Sequence, residues 1–157
     1  MTPVLVDTSV WRRYFAGKTT RRETGALQVL LDEDGALAVH EAVLGELVLG
    51  GLAAREEELL RRLPIAPELE SAEVLAFVKH RNLARRGVGW VDAHLLASAL
   101  VLPGLLWTAD RRLKEAAAEL GIALNAAPSS LNLCRATPQT RRRLRSAASF
   151  TTASRLR

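Results

Sequence analysis

The stretch VLVDTSVW, residues 4–11, decides the fold. Three apolar residues, Val4, Leu5 and Val6, make a short run with no polar partner in the alternation, which is the pattern of a strand buried on both faces. The chain then presents a carboxylate, Asp7, and two hydroxyls, Thr8 and Ser9, before turning apolar again. An acid at the mouth of a core strand is costly to bury and needs a reason for being there.

Working outward, 36–39, 104–107 and 122–124 repeat the short apolar run, and longer segments between them carry helical spacing. The helix candidates are 21–33, 41–52, 54–62, 68–86, 92–102 and 110–120; Leu95, Leu96, Ala99 and Leu100 are a typical recurrence. Strands separated by helices imply right-handed crossovers and a mostly parallel sheet, so the expected class is α/β. At 157 residues and 48% hydrophobic the chain has enough apolar sequence for one core. Its longest apolar run, 93–107, is too short to span a bilayer and is broken at Pro103-Gly104. No membrane association is expected. The start lacks the basic and apolar regions of a secretory signal, and a single cysteine, Cys134, excludes a disulfide framework or a cysteine zinc site. These features predict a cytoplasmic protein.

The net charge of +5 is unevenly distributed. Residues 135–157 hold seven arginines and no acid, which leaves 1–134 at −2. The expected organisation is one domain over 1–134 followed by a basic, flexible C-terminal tail over 135–157.

Four acids stand alone in apolar surroundings: Asp7, Glu46 within AVLGELVLGGL (42–52), Asp92 within GVGWVDAHLLASALVLPGLLW (87–107), and Asp110 after LLW. Helix capping accounts for any one of the aspartates. It does not account for Glu46, which lies beyond the first turn of its helix and shares a face with Ala42, Val43, Leu49 and Gly50, expected to point inward. In an open parallel sheet, ligands bind beyond the carboxyl ends of the strands near the switch in strand order, and all four acids can reach such a crevice. Converging carboxylates repel one another, and a hard divalent cation with oxygen ligands, Mg²⁺ or Mn²⁺, removes the conflict.

At these residues the sequence resembles the PIN-domain ribonucleases, specifically the VapC-like toxins of bacterial toxin–antitoxin pairs. The resemblance is carried by VLVDTSVW, by Gly45–Leu47, by WVDAHLLASAL (90–100) and by LWTADRRL (106–113), and covers about residues 3–125. It implies a PIN-like α/β/α sandwich that cleaves RNA with Mg²⁺ or Mn²⁺ held by Asp7, Glu46, Asp92 and Asp110. Thr8, Ser9 and Thr108 are implied as hydrogen-bonding support. It further implies a homodimer inhibited by a small antitoxin protein, with operator DNA bound only through the antitoxin. Arg112 departs from the pattern, because some relatives carry a further acid there.

Arginine pairs flank the acids, and Arg12, Arg85, Arg86, Arg111 and Arg112 are candidates for RNA phosphate contacts. The histidines His40, His80 and His94 and the three tryptophans are expected to pack rather than to ligate or stack on bases. Competing readings are a non-catalytic PIN-like binding module, a PIN nuclease that processes RNA without toxicity, and an aspartyl phosphatase using Asp7. The last is disfavoured by Ser9, which stands where such sites need a second aspartate.

Overall fold

The computed structural model describes residues 2–124. The tail over 135–157, and the domain boundary placed before it, lie outside the described residues. Strand β1 (Val4–Val6) is the centre of a three-stranded parallel sheet, flanked by β2 (Leu37–Ala38) on one side and β3 (Leu105–Trp107) on the other. Val4 pairs with Leu37 and with Leu105, and Val6 with Trp107. Single parallel bridges extend the sheet at both edges, Val39 with Ile65 and Leu106 with Ala123. The 122–124 segment is therefore a bridge rather than a strand, and Ile65 is a pairing position that the sequence pattern hid between Pro64 and Pro67.

The helices are α1 (Thr8–Phe15), α2 (Arg21–Leu31), α3 (Glu41–Leu49), α4 (Ala54–Arg61), α5 (Ser71–His80), α6 (Trp90–Val101) and α7 (Arg111–Glu119). Among the described residues none is long and apolar enough to cross a membrane. Helix α1 is absent from the helix candidates and is foreshadowed only by the capping reading of Asp7. Its Val, Trp, Tyr and Phe favour strands, but Asp7 caps it and Val10 and Trp11 bury against the core. Trp11 stacks on Phe15 with ring centroids 5.6 Å apart. The helix expected over 68–86 is likewise shorter. It ends at His80, and 82–89 forms a turn with left-handed backbone at Asn82, Arg85 and Gly87.

Val4, Leu5, Val6, Leu37, Leu95, Leu96, Leu106 and Leu113 are at most 1% exposed and form one core between the sheet and its helices. Helix α6 packs on β1 and β3, and α7 on β3. Because the chain leaves β1 for β2 on one side and then crosses to β3 on the other, the switch in strand order falls at the carboxyl end of β1. Asp7 stands there.

Candidate active site

Asp7 is 6% exposed, and its backbone N–H donates to the Trp107 carbonyl at 2.9 Å, which ties the ends of β1 and β3 together. Its Oδ2 accepts three hydrogen bonds: from Ser9 Oγ at 2.5 Å, from Thr108 Oγ1 at 2.8 Å and from the Ser9 N–H at 3.3 Å. The Ser9 hydroxyl also accepts from the Ala109 N–H at 3.0 Å, and Thr108 Oγ1 accepts from the Asp110 N–H at 3.0 Å. One hydroxyl network therefore spans the ends of both strands and reaches the start of α7.

The other acids repeat a single arrangement. Thr8 Oγ1 donates to Glu46 Oε2 at 2.6 Å, across from α1 to α3. Asp92, in the first turn of α6, accepts the Gly89 N–H on Oδ2 at 2.8 Å. Asp110 caps α7, accepting the Leu113 N–H on Oδ1 at 2.9 Å. Capping thus describes the aspartates at the starts of α6 and α7. In each of the four carboxylates one oxygen is bonded to the scaffold, and the second makes no hydrogen bond among the described residues.

The four belong to one electrostatic neighbourhood. Burial pushes the Asp92 carboxyl above its ordinary value, the Gly89 N–H opposes that, and the charges of Asp7, Asp110 and Glu46 raise it further. Among the described residues no three acids or histidines close into a ready-made ligand cage. The fit to a hard cation rests on chemistry: four anchored carboxylates, one of which, Asp92, is held above its ordinary pKa by burial first and by the charges of the other three in addition.

Glu46 is half-buried at the rim of α3. The inward face of that helix is Val43, Leu44 and Leu47, and Leu49 is 90% exposed, so the expected inward pairing of Glu46 with Leu49 and Gly50 does not occur.

The arginines divide by partner. Arg86 makes a bidentate pair with Glu119, its Nη1 lying 2.7 Å from Oε2, and Arg111 lies 3.7 Å from Glu115. Among the described residues Arg12 donates only to the Glu46 carbonyl, at 3.4 Å. Arg85 has left-handed backbone and no carboxylate partner among the described residues. Arg112 folds over Gly87, where a Cβ would come within 2.4 Å of its Nη1. The backbone N–H donations from Ala109 to the Ser9 hydroxyl and from Gly89 to the Asp92 carboxylate were not legible in the sequence, because no side chain announces a backbone donor.

A family model described as the PIN domain matches residues 4–119. Two relatives named ribonuclease VapC32, from Mycobacterium tuberculosis strains CDC 1551 / Oshkosh and ATCC 25618 / H37Rv, are each similar to this chain. In both cases the identity is 43% over 124 residues, covering 77% of this chain and 95% of the relative.

Proposed function

The chain belongs to the PIN-domain family, and from that premise we propose that it is a divalent-metal-dependent endoribonuclease acting as the toxin of a toxin–antitoxin pair. The observation that carries the reading is the set of four carboxylates, each fastened through one oxygen and presenting the other. Asp7, Glu46, Asp92 and Asp110 would hold Mg²⁺ or Mn²⁺. When bound, the ion supplies Lewis-acid polarisation of the scissile phosphodiester and offsets the charge gathering on it.

The chain's own groups prepare that site. Ser9 and Thr108 hold Asp7 in one orientation, and Thr8 holds Glu46, so the carboxylates need little rearrangement when substrate arrives. Asp92 and Asp110 are fixed by backbone amides at the starts of α6 and α7, whose positive ends also favour negative charge. Arg12, Arg85 and Arg112, free of carboxylate partners among the described residues, are the groups best placed to bind RNA phosphates. Arg86 and Arg111 are committed to Glu119 and Glu115 and contribute less. The proposed partners are an RNA substrate, a cognate antitoxin protein and a second copy of the chain, in the cytoplasm.

The test is cleavage of a structured RNA by the purified chain with Mg²⁺ or Mn²⁺. EDTA stops it, and Asp7→Asn abolishes it while the far-UV circular dichroism stays unchanged. Full cleavage by Asp7→Asn would remove the acidic-site mechanism. Cleavage in vitro without growth inhibition on expression would favour RNA processing over toxicity.

A further inference from the structure

Two histidines take no part in the site described above. His40 is 2% exposed and caps α3: its Nδ1 accepts the Ala42 N–H at 3.1 Å. That bond occupies the Nδ1 lone pair, so the neutral ring carries its proton on Nε2. Nε2 is fully buried and meets no hydrogen-bond partner among the described residues. The ring it belongs to stands edge-on to His94 on α6, with centroids 6.1 Å apart and planes at 67°. His94 in turn meets Trp90 edge-on at 4.7 Å and 85°. A protonated Nε2 is no metal ligand, so the pair is not a cation site of its own.

Helix α3 carries Glu46, and α6 carries Asp92 two residues before His94. Helix α3 packs on α1 and α4, whereas α6 packs on α5, β1 and β3; α3 and α6 share no extensive packing. The two imidazoles are therefore a direct link between helices that hold different carboxylates. Burial also keeps His40 uncharged by lowering its pKa, an effect that His94 reinforces and that Glu68 and Glu41 oppose. An uncharged ring keeps the α3 cap, since a proton on Nδ1 would break the bond to Ala42.

We propose that His40 and His94 are a pair of positioning residues, whose edge-on ring contact fixes α3 against α6 and so sets the spacing of Glu46 and Asp92. The inference rests on the metal-dependent nuclease reading, but its main readout, metal binding, does not require cleavage.

In the full chain, Mn²⁺ binding is measured by titration calorimetry, alongside the Mg²⁺ dependence of RNA cleavage. The variants are His40→Asn, His94→Leu, His94→Phe and the double variant His40→Asn/His94→Leu. Asparagine keeps an acceptor for the Ala42 N–H and removes the ring. His40→Asn and His94→Leu are each expected to weaken Mn²⁺ binding about tenfold, as the loss of groups that orient ligands does. The double variant should bind no more weakly than the weaker single, because the two residues act as one unit. His94→Phe, which keeps a ring face, should bind within about threefold of the unmodified chain, well short of that loss. Unchanged binding in both single variants overturns the proposal, as does a double variant whose loss is the product of the singles. If His40→Asn does not fold, equal binding by His94→Leu and His94→Phe overturns it alone. Retained cleavage by Asp7→Asn would instead count against the nuclease reading.

Discussion

Thr108→Val tests whether the hydroxyl network holds the site together. Valine has nearly the shape of threonine, so the substitution removes polar contacts and little packing. Thr108 is 8% exposed, and two hydrogen bonds vanish: the donation to Asp7 Oδ2 at 2.8 Å and the acceptance from the Asp110 N–H at 3.0 Å. The first ends on a carboxylate and is worth about 1.5–3 kcal/mol, the second about 1 kcal/mol. Asp7 keeps both bonds from Ser9, so it is not left bare, and the net loss should be about 2–3 kcal/mol. In a domain of this size that lowers the melting temperature by about 6–12 °C. The assay is thermal denaturation followed by circular dichroism in EDTA, which keeps metal binding out of the comparison. Thr108→Ser is the control: it keeps the hydroxyl, loses one methyl, and should fall by no more than about 1 kcal/mol. A valine variant melting at or above the serine variant would refute the reasoning, because the hydroxyl would then contribute nothing.

Other expectations follow from the same geometry. Asp92 has a folded pKa raised above 3.8, so the folded state holds its proton more tightly. Stability therefore falls as pH rises from the unfolded value through the folded one, and the whole penalty is present at neutral pH. Asp92→Asn should accordingly raise the melting temperature without metal at pH 7, and Mn²⁺ should stabilise the unmodified chain at pH 7 but progressively less on acidification; equal Mn²⁺ shifts at both ends of a pH series would contradict this. His40 has a folded pKa below 6.5, so its contribution is complete above that value and is lost as pH falls through the folded pKa. Denaturant melts between pH 7 and 5 should show less acid sensitivity in His40→Asn. Gly87→Ala should cost about 1–2 kcal/mol, since Gly87 has φ +74° and a Cβ there strikes Arg112. Gly87→Ala/Arg112→Ala should recover the steric part only, and complete recovery would mean that the backbone conformation carries no strain.

The alternating run of strands and helices was legible because apolar clusters of three cannot form an amphipathic helix but do suit a strand covered on both faces. Val4–Val6 and Leu105–Trp107 stand where the pattern predicts. Apolar spacing does not mark helix α1, because its residues favour strands locally; only the capping reading of Asp7 points to it, and it forms where Asp7 caps it and Trp11 finds the core. The turn over 82–89 was hidden for the opposite reason. LARR reads as helix, but the chain must reverse there to bring α6 back over the sheet, and left-handed backbone at Asn82, Arg85 and Gly87 makes the reversal. Among the candidate phosphate contacts, nothing in the order of residues separates Arg86 from Arg85. The difference is Glu119, thirty-three positions away, which holds one and not the other.

Composition and order alone determined that this protein has buried parallel strands and acids at their ends, because the cost of burying a carboxylate is the same in any fold and makes a lone acid conspicuous. Only the tertiary structure decided how those acids are held. One oxygen of each is taken by a hydroxyl or amide, several of them brought close by the β1–β3 pairing and the α1–α3 contact, and the other oxygen has no hydrogen bond among the described residues. A hydrogen bond depends on two groups meeting within about 3 Å at a defined angle, and that meeting is a property of the folded chain rather than of any segment of it.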